Sequence, residues 1–143
     1  MNGLRGRCSL LIDIENQVFT AVKTAVRGEY QSANVVGEYV RSPAKFPHVS
    51  VVETDNYTSS GHRDSADTER YATVTYEVNA YSNKTSGKKT ECRGIMAIVD
   101  QTFYSMNFTR ISMAPVPNQE NATVYRITAR YRAETDGERI FRI

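Results

Sequence analysis

The sequence predicts an α+β domain: one antiparallel sheet with two helices packed on one of its faces, in the order α-β-β-β-α-β-β with a further short strand at the end. Three observations carry this. Two stretches repeat apolar residues at three- and four-residue steps, and several others alternate apolar and polar residues. The 143 residues, 40% apolar and 24% charged, suffice for one core, so residues 1–143 read as a single domain.

From Leu11 the residues Ile14, Val18, Val22 and Ala25 form a helical stripe that Ile12, Phe19 and Val26 widen, predicting a helix over 9–27 with Gly28 as its stop. "ANVVGEYV" is a short strand. "SPAKFP" follows, with two prolines that force extended or turned backbone, and "HVSVVET" is the second strand. "YATVTYEVNAY" alternates strictly: Ala72, Val74, Tyr76, Val78 and Ala80 share one face, Tyr71, Thr73, Thr75, Glu77, Asn79 and Tyr81 the other. A second helical stripe runs through Cys92, Ile95, Met96, Val99, Phe103 and Met106, with Asn107 able to close it in the left-handed conformation and Phe108 to pack back. "FTRISMAPVPN" and "ATVYRITARYRAE" are further strands, the latter with Tyr125, Ile127, Ala129, Tyr131 and Ala133 opposite Arg126, Thr128, Arg130 and Arg132. "ERIFRI" adds a last short strand.

The turn "YSNKTSGKKTEC" stands between a strand and a helix, where a phosphate-binding P-loop sits. Aligned on Gly87-Lys88, Ser82 replaces the first glycine and Lys89 the metal-binding hydroxyl, so two defining positions fail. The simpler expectation is a strand-to-helix junction capped by Ser86, eased by Gly87, with Lys88 and Lys89 solvated. Lysines in a first helical turn oppose the helix dipole, which points to something outside the helix holding them.

Eighteen basic and sixteen acidic side chains leave a net charge of only +2, unlike a protein that lives on bare nucleic acid. Asp13 and Glu15 interrupt the one N-terminal apolar run, so neither a signal peptide nor a membrane span is expected, and no membrane partner. Cys8, Cys92, His48 and His62 lack metal-site spacing, so no metal or other cofactor is expected and the cysteines read as free thiols, with Cys92 in the core.

Two surfaces are candidates for partners. Residues 55–69 contain no aliphatic side chain larger than alanine and are expected to form a mobile loop that orders on contact, through Asp55, Asn56, Tyr57, His62, Arg63, Asp64, Asp67 and Glu69. The sheet face away from the helices offers Tyr71, Glu77, Tyr81, Arg126, Arg130 and Arg132, a composition that interfaces favour.

The segments "GEYVRSPAKFPHVSVVE", "VTYEVNAYSNKTSGKKTEC" and "NATVYRITARYRA" resemble the tail terminator (tail-completion) proteins of long-tailed bacteriophages, in particular those of phages and prophages of Gram-positive bacteria, which are also called minor capsid or head-tail joining proteins. The likeness runs from about residue 12 to 133. It implies a subunit of a hexameric ring that caps the finished tail tube, ends its polymerisation and offers a surface to the head-completion or connector protein. Phage DNA would pass through the lumen without sequence recognition. The implied location is the tail–neck junction of the virion, and the host cytoplasm during assembly. Two other readings compete. A nucleic-acid-binding domain would use the Arg/Tyr face, and another neck protein would share the architecture. An enzyme would need a convergent nucleophile, base and orienting group, which the two separated histidines do not supply.

Overall fold

The computed structural model describes residues 11–58, 71–117 and 121–143. Its elements are α1 (Glu15–Glu29), β1 (Asn34–Val36), β2 (His48–Thr58), β3 (Ala72–Ser82), α2 (Lys88–Ser105), β4 (Thr109–Pro115), β5 (Tyr125–Thr135) and β6 (Ile140–Phe141), in the expected order. They form a six-stranded sheet, β1-β2-β3-β5-β4, with β6 paired to the end of β5.

Register follows from alternation. Val49 lies opposite Ala80 and Val51 opposite Val78, while Val78 lies opposite Ala129 and Tyr76 opposite Tyr131, so the apolar sets of the strands share one face. Both helices pack there: Val18, Val22 and Val26 of α1 and Cys92, Ile95, Met96, Val99 and Phe103 of α2 join Val49, Val74, Tyr76, Ala129 and Tyr131 in one core. Phe103 stacks on Tyr131 at 4.2 Å between centroids and meets Phe108 edge-on at 5.0 Å. Phe108 reaches that place because α2 ends as expected. Asn107 takes φ 71°, its N–H bonds to the Tyr104 carbonyl, and the Phe108 N–H reaches back to the Phe103 carbonyl. Cys92 is fully buried, its thiol near the carbonyls of Ala80 and Tyr125, and burial with the nearby Glu91 charge pushes it up to about 12.

Four expectations are corrected. The sheet is mixed, since β1 runs parallel to β2; the connection 37–47 carries the chain back to the same end before β2 begins. The first helix starts at Glu15: Asp13 accepts the Glu15 N–H, and the Ile12 carbonyl accepts the Asn56 amide at 2.8 Å, with residues 11–14 a non-helical link. Gly28 does not stop α1, which runs to Glu29; the Tyr30 N–H still reaches the Val26 carbonyl, and the Arg27 guanidinium donates to the Gln31 carbonyl beyond the helix end. Asp55, Asn56 and Tyr57 are not loop; β2 continues past a bulge near Thr54 to Thr58, paired with β3 throughout. The rest of that stretch, with His62, Arg63, Asp64, Asp67 and Glu69, lies outside the described residues, as does Cys8.

Candidate functional site

The face opposite the helices is an array of cross-strand rows. His48, Tyr81 and Arg126 form one row, with Asn34 of β1 beside His48. The following rows are Ser50–Asn79–Thr128 and Val52–Glu77–Arg130; past the bulge come Asp55–Thr75–Arg132 and Tyr57–Thr73–Glu134.

One end of this array is closed. His48, Ser50, Asn79 and Tyr81 are all buried. The Asn79 amide oxygen accepts Arg126 Nε at 2.9 Å and the Thr128 hydroxyl, and its NH2 donates to Glu77 at 3.1 Å. Arg126 lies over the Tyr81 ring, 5.5 Å from its centroid. Glu77 in turn pairs with Arg130 at 3.2 Å, the last link of a chain that crosses from β5 to β3 and back.

The other end is open. Arg132 is exposed and makes no hydrogen bond or ion pair among the described residues. Beside it Tyr57, Tyr71, Thr73, Glu134, Phe141, Arg142 and Ile143 line a cleft of about 660 Å³. Tyr71 and Phe141 lie 5.8 Å apart, and Tyr57 stands half exposed at the rim. Arg142 is held by the carbonyls of Phe108 and Tyr104 and lies over the Tyr104 ring. A larger groove of about 750 Å³ runs between α2 and β4 over Met96, Met113 and Ile127, with the Arg110–Asp100 pair on its rim.

The structure thus divides the six residues expected on this face. Arg132 and Tyr71 belong to its open part and Arg130 stands exposed at the boundary, paired with Glu77, whereas Tyr81 is closed off and Arg126 and Glu77 are committed to the network around Asn79. Of the expected loop residues, Tyr57 joins the cleft, and Asn56 points to the helix side, bonded to Ile12 and Glu53. Phe141 and Arg142 were missed because the last ten residues carry too short a pattern to place. Alternation in "ERIFRI" was the available signal.

The turn before α2 is bonded into the fold. Ser82 is fully buried, its hydroxyl donates to Glu91 at 2.6 Å, and it also accepts the Lys84 N–H. Gly87 itself occupies the cap position at φ 89°, a left-handed conformation that suits glycine, so Ser86 caps nothing. Lys88 is held from outside the helix, donating to the Thr123 carbonyl.

Among the described residues, the shifted titratable groups are, with one exception, closed off from solvent. Burial lowers the pKa of His48 and raises that of Tyr81, the latter partly offset by the Arg126 charge. Burial and hydrogen bonds to Glu53 and Asp100 raise Tyr76 and Tyr131 well above the usual range. The exception is Asp136, lowered by the backbone N–H groups of Arg139 and Glu138 in a surface turn. No group of three or more His, Cys, Asp or Glu side chains suited to a metal occurs among the described residues.

No protein-family model matches the chain, and no curated protein matches it in sequence. Its fold is similar to that of a chain from the virion of a native gene transfer agent (GTA) particle. The TM-score is 0.63 over 84% of this chain and 92% of that one, at 14% identity.

Proposed function

We propose that the protein is a structural subunit of a phage-like virion, forming a ring that caps the tail tube, ends its polymerisation and offers a surface for joining the head or connector. The observation that carries this reading is the fold likeness, nearly end to end, to a chain of a virion particle. It agrees with the resemblance of the β1–β2, β3–α2 and β5 segments to tail terminators. The open Arg130/Arg132 end of the sheet, with Tyr57 and Tyr71, supplies a surface of the composition that subunit contacts use. The nucleic-acid reading draws less support, because Tyr81 is buried and Arg126 is bound to Asn79, leaving neither free to stack on a base or meet a phosphate. A catalytic reading draws none from His48, whose ring is buried away from any cleft described above.

Mass measurement and negative-stain imaging of the purified protein, alone and with tail tubes, test the proposal. Rings at tube ends and arrested tube growth are expected. Tubes that keep growing in its presence would refute the capping role, and binding to head particles alone would move the protein to another neck position. In assembly, Arg130→Ala with Arg132→Ala should leave a folded chain and give overlong or unjoined tails, since truncating one member of an interfacial charge pair costs roughly 2–5 kcal/mol. Normal capping with loss of salt-sensitive DNA binding would instead favour the nucleic-acid reading.

A further inference from the structure

Within the closed end of the sheet face, bonding is lopsided. On the β3–β5 side every polar group named above has a partner, through Asn79. On the β2–β3 side, His48 Nε2, the Ser50 hydroxyl and the Tyr81 hydroxyl are all buried and have no hydrogen-bond partner among the described residues. The three residues are neighbours in the array: His48 lies directly across from Tyr81, with ring centroids 5.7 Å apart, and Ser50 follows His48 by two residues on the same face. The side chains are 2%, 0% and 1% exposed.

Their donor and acceptor capacities are complementary. The Asn34 amide NH2 contacts His48 Nδ1 at 3.2 Å, and an amide NH2 only donates, so Nδ1 is the acceptor and the ring proton sits on Nε2. Nε2–H is therefore a buried donor, while each hydroxyl is both donor and acceptor. Buried polar groups are almost always satisfied by protein or by ordered water, and an internal water characteristically takes two to four polar partners.

We infer that this corner is an internal hydration site: a buried water accepts the His48 Nε2–H and bridges the hydroxyls of Ser50 and Tyr81. With the Asn79 network, to which Tyr81 is joined by the contact of Arg126 with its ring, it makes a polar layer from Asn34 of β1 to Arg126 of β5, on a face that sequence alternation alone would leave to solvent. The connection 37–47 closes near the same corner, with Tyr39 close enough to Tyr81 to act on it electrostatically. The inference does not depend on the capping role.

The test contrasts a bridged with a dry site. In a dry site, Tyr81→Phe and Ser50→Ala each remove an unsatisfied buried group, and the melting midpoint stays level or rises. With a bridging water, each substitution lowers the midpoint by roughly 3 °C, and the double variant loses clearly less than the sum because both act on one bound molecule. Water-selective NMR of the unmodified protein supplies an independent readout, with cross-peaks expected between a long-lived water and the Tyr81 ring and His48 Nε2–H. A midpoint that does not fall, additive losses, or no long-lived water at these protons would each overturn the inference.

Discussion

The two ends of the outer sheet face are built from the same residue types and do opposite things. At one end Arg126 and Tyr81 are locked against each other and against Asn79; at the other Arg132 stands free beside Tyr57, Tyr71 and Phe141. Alternation put Tyr71, Asn79, Tyr81, Arg126 and Arg132 on one face without distinguishing them, and placed neither Tyr57 nor Phe141 there. What separates them is the neighbouring strand. Next to Tyr81 lies His48, with β1 beyond it, whereas next to Thr73 lies Tyr57 near the end of β2, with no further strand alongside among the described residues. An arginine with a buried amide acceptor beside it becomes part of the fold, and the same residue without one remains available to a partner.

The largest test of this contrast is Asn79→Ala. It strips the acceptor from Arg126 and Thr128 at once and leaves a guanidinium without its partner. A loss of about 3 kcal/mol is expected in denaturant unfolding. A loss below about 1 kcal/mol would mean that the network adds little and that the closed end is held by packing alone. Arg126→Ala should follow at about 1–2 kcal/mol, for one charge-assisted hydrogen bond and the contact with the Tyr81 ring.

The pH dependence probes the same corner. Burial holds the His48 pKa below 6.5 in the folded chain, so the unfolded chain takes up the proton first as pH falls. The stability contributed by neutral His48 is therefore full above about pH 6.5 and declines as the pH drops through the lowered folded value. His48→Gln should flatten that part of the pH–stability curve. An unchanged curve would show that the imidazole is not the group responsible. At the small end, Arg132→Ala should change the stability of the isolated chain by no more than about 0.5 kcal/mol, as measured by thermal unfolding. A larger loss would move Arg132 from the available end to the structural one.

Much of the fold was legible because it rests on periodicity. The faces of β3 and β5 match their alternation residue for residue, and the α2 stripe and its Asn107 closure follow from short-range rules. Boundaries were less legible. Gly28 is the residue type of a helix stop, but α1 continues through it to Glu29, and the Tyr30 N–H still bonds to the Val26 carbonyl. Residues 55–58 lack aliphatic side chains, yet backbone pairing to β3 keeps them in a strand, because a ladder's hydrogen bonds need no apolar side chain.

The sequence by itself determined which side chains share a face and where the helices lie relative to the sheet. Each of these depends on residues within a few positions of one another along the chain. Only the tertiary structure decided that β1 runs parallel to β2, that Asn79 collects Arg126 and Thr128 from β5, that His48, Ser50 and Tyr81 are sealed together, and that Phe141 and Arg142 come back to Tyr57 and Tyr71. Those contacts join residues as far apart as Asn79 and Arg126 through strand order, and strand order is set by how the whole core closes rather than by any local pattern.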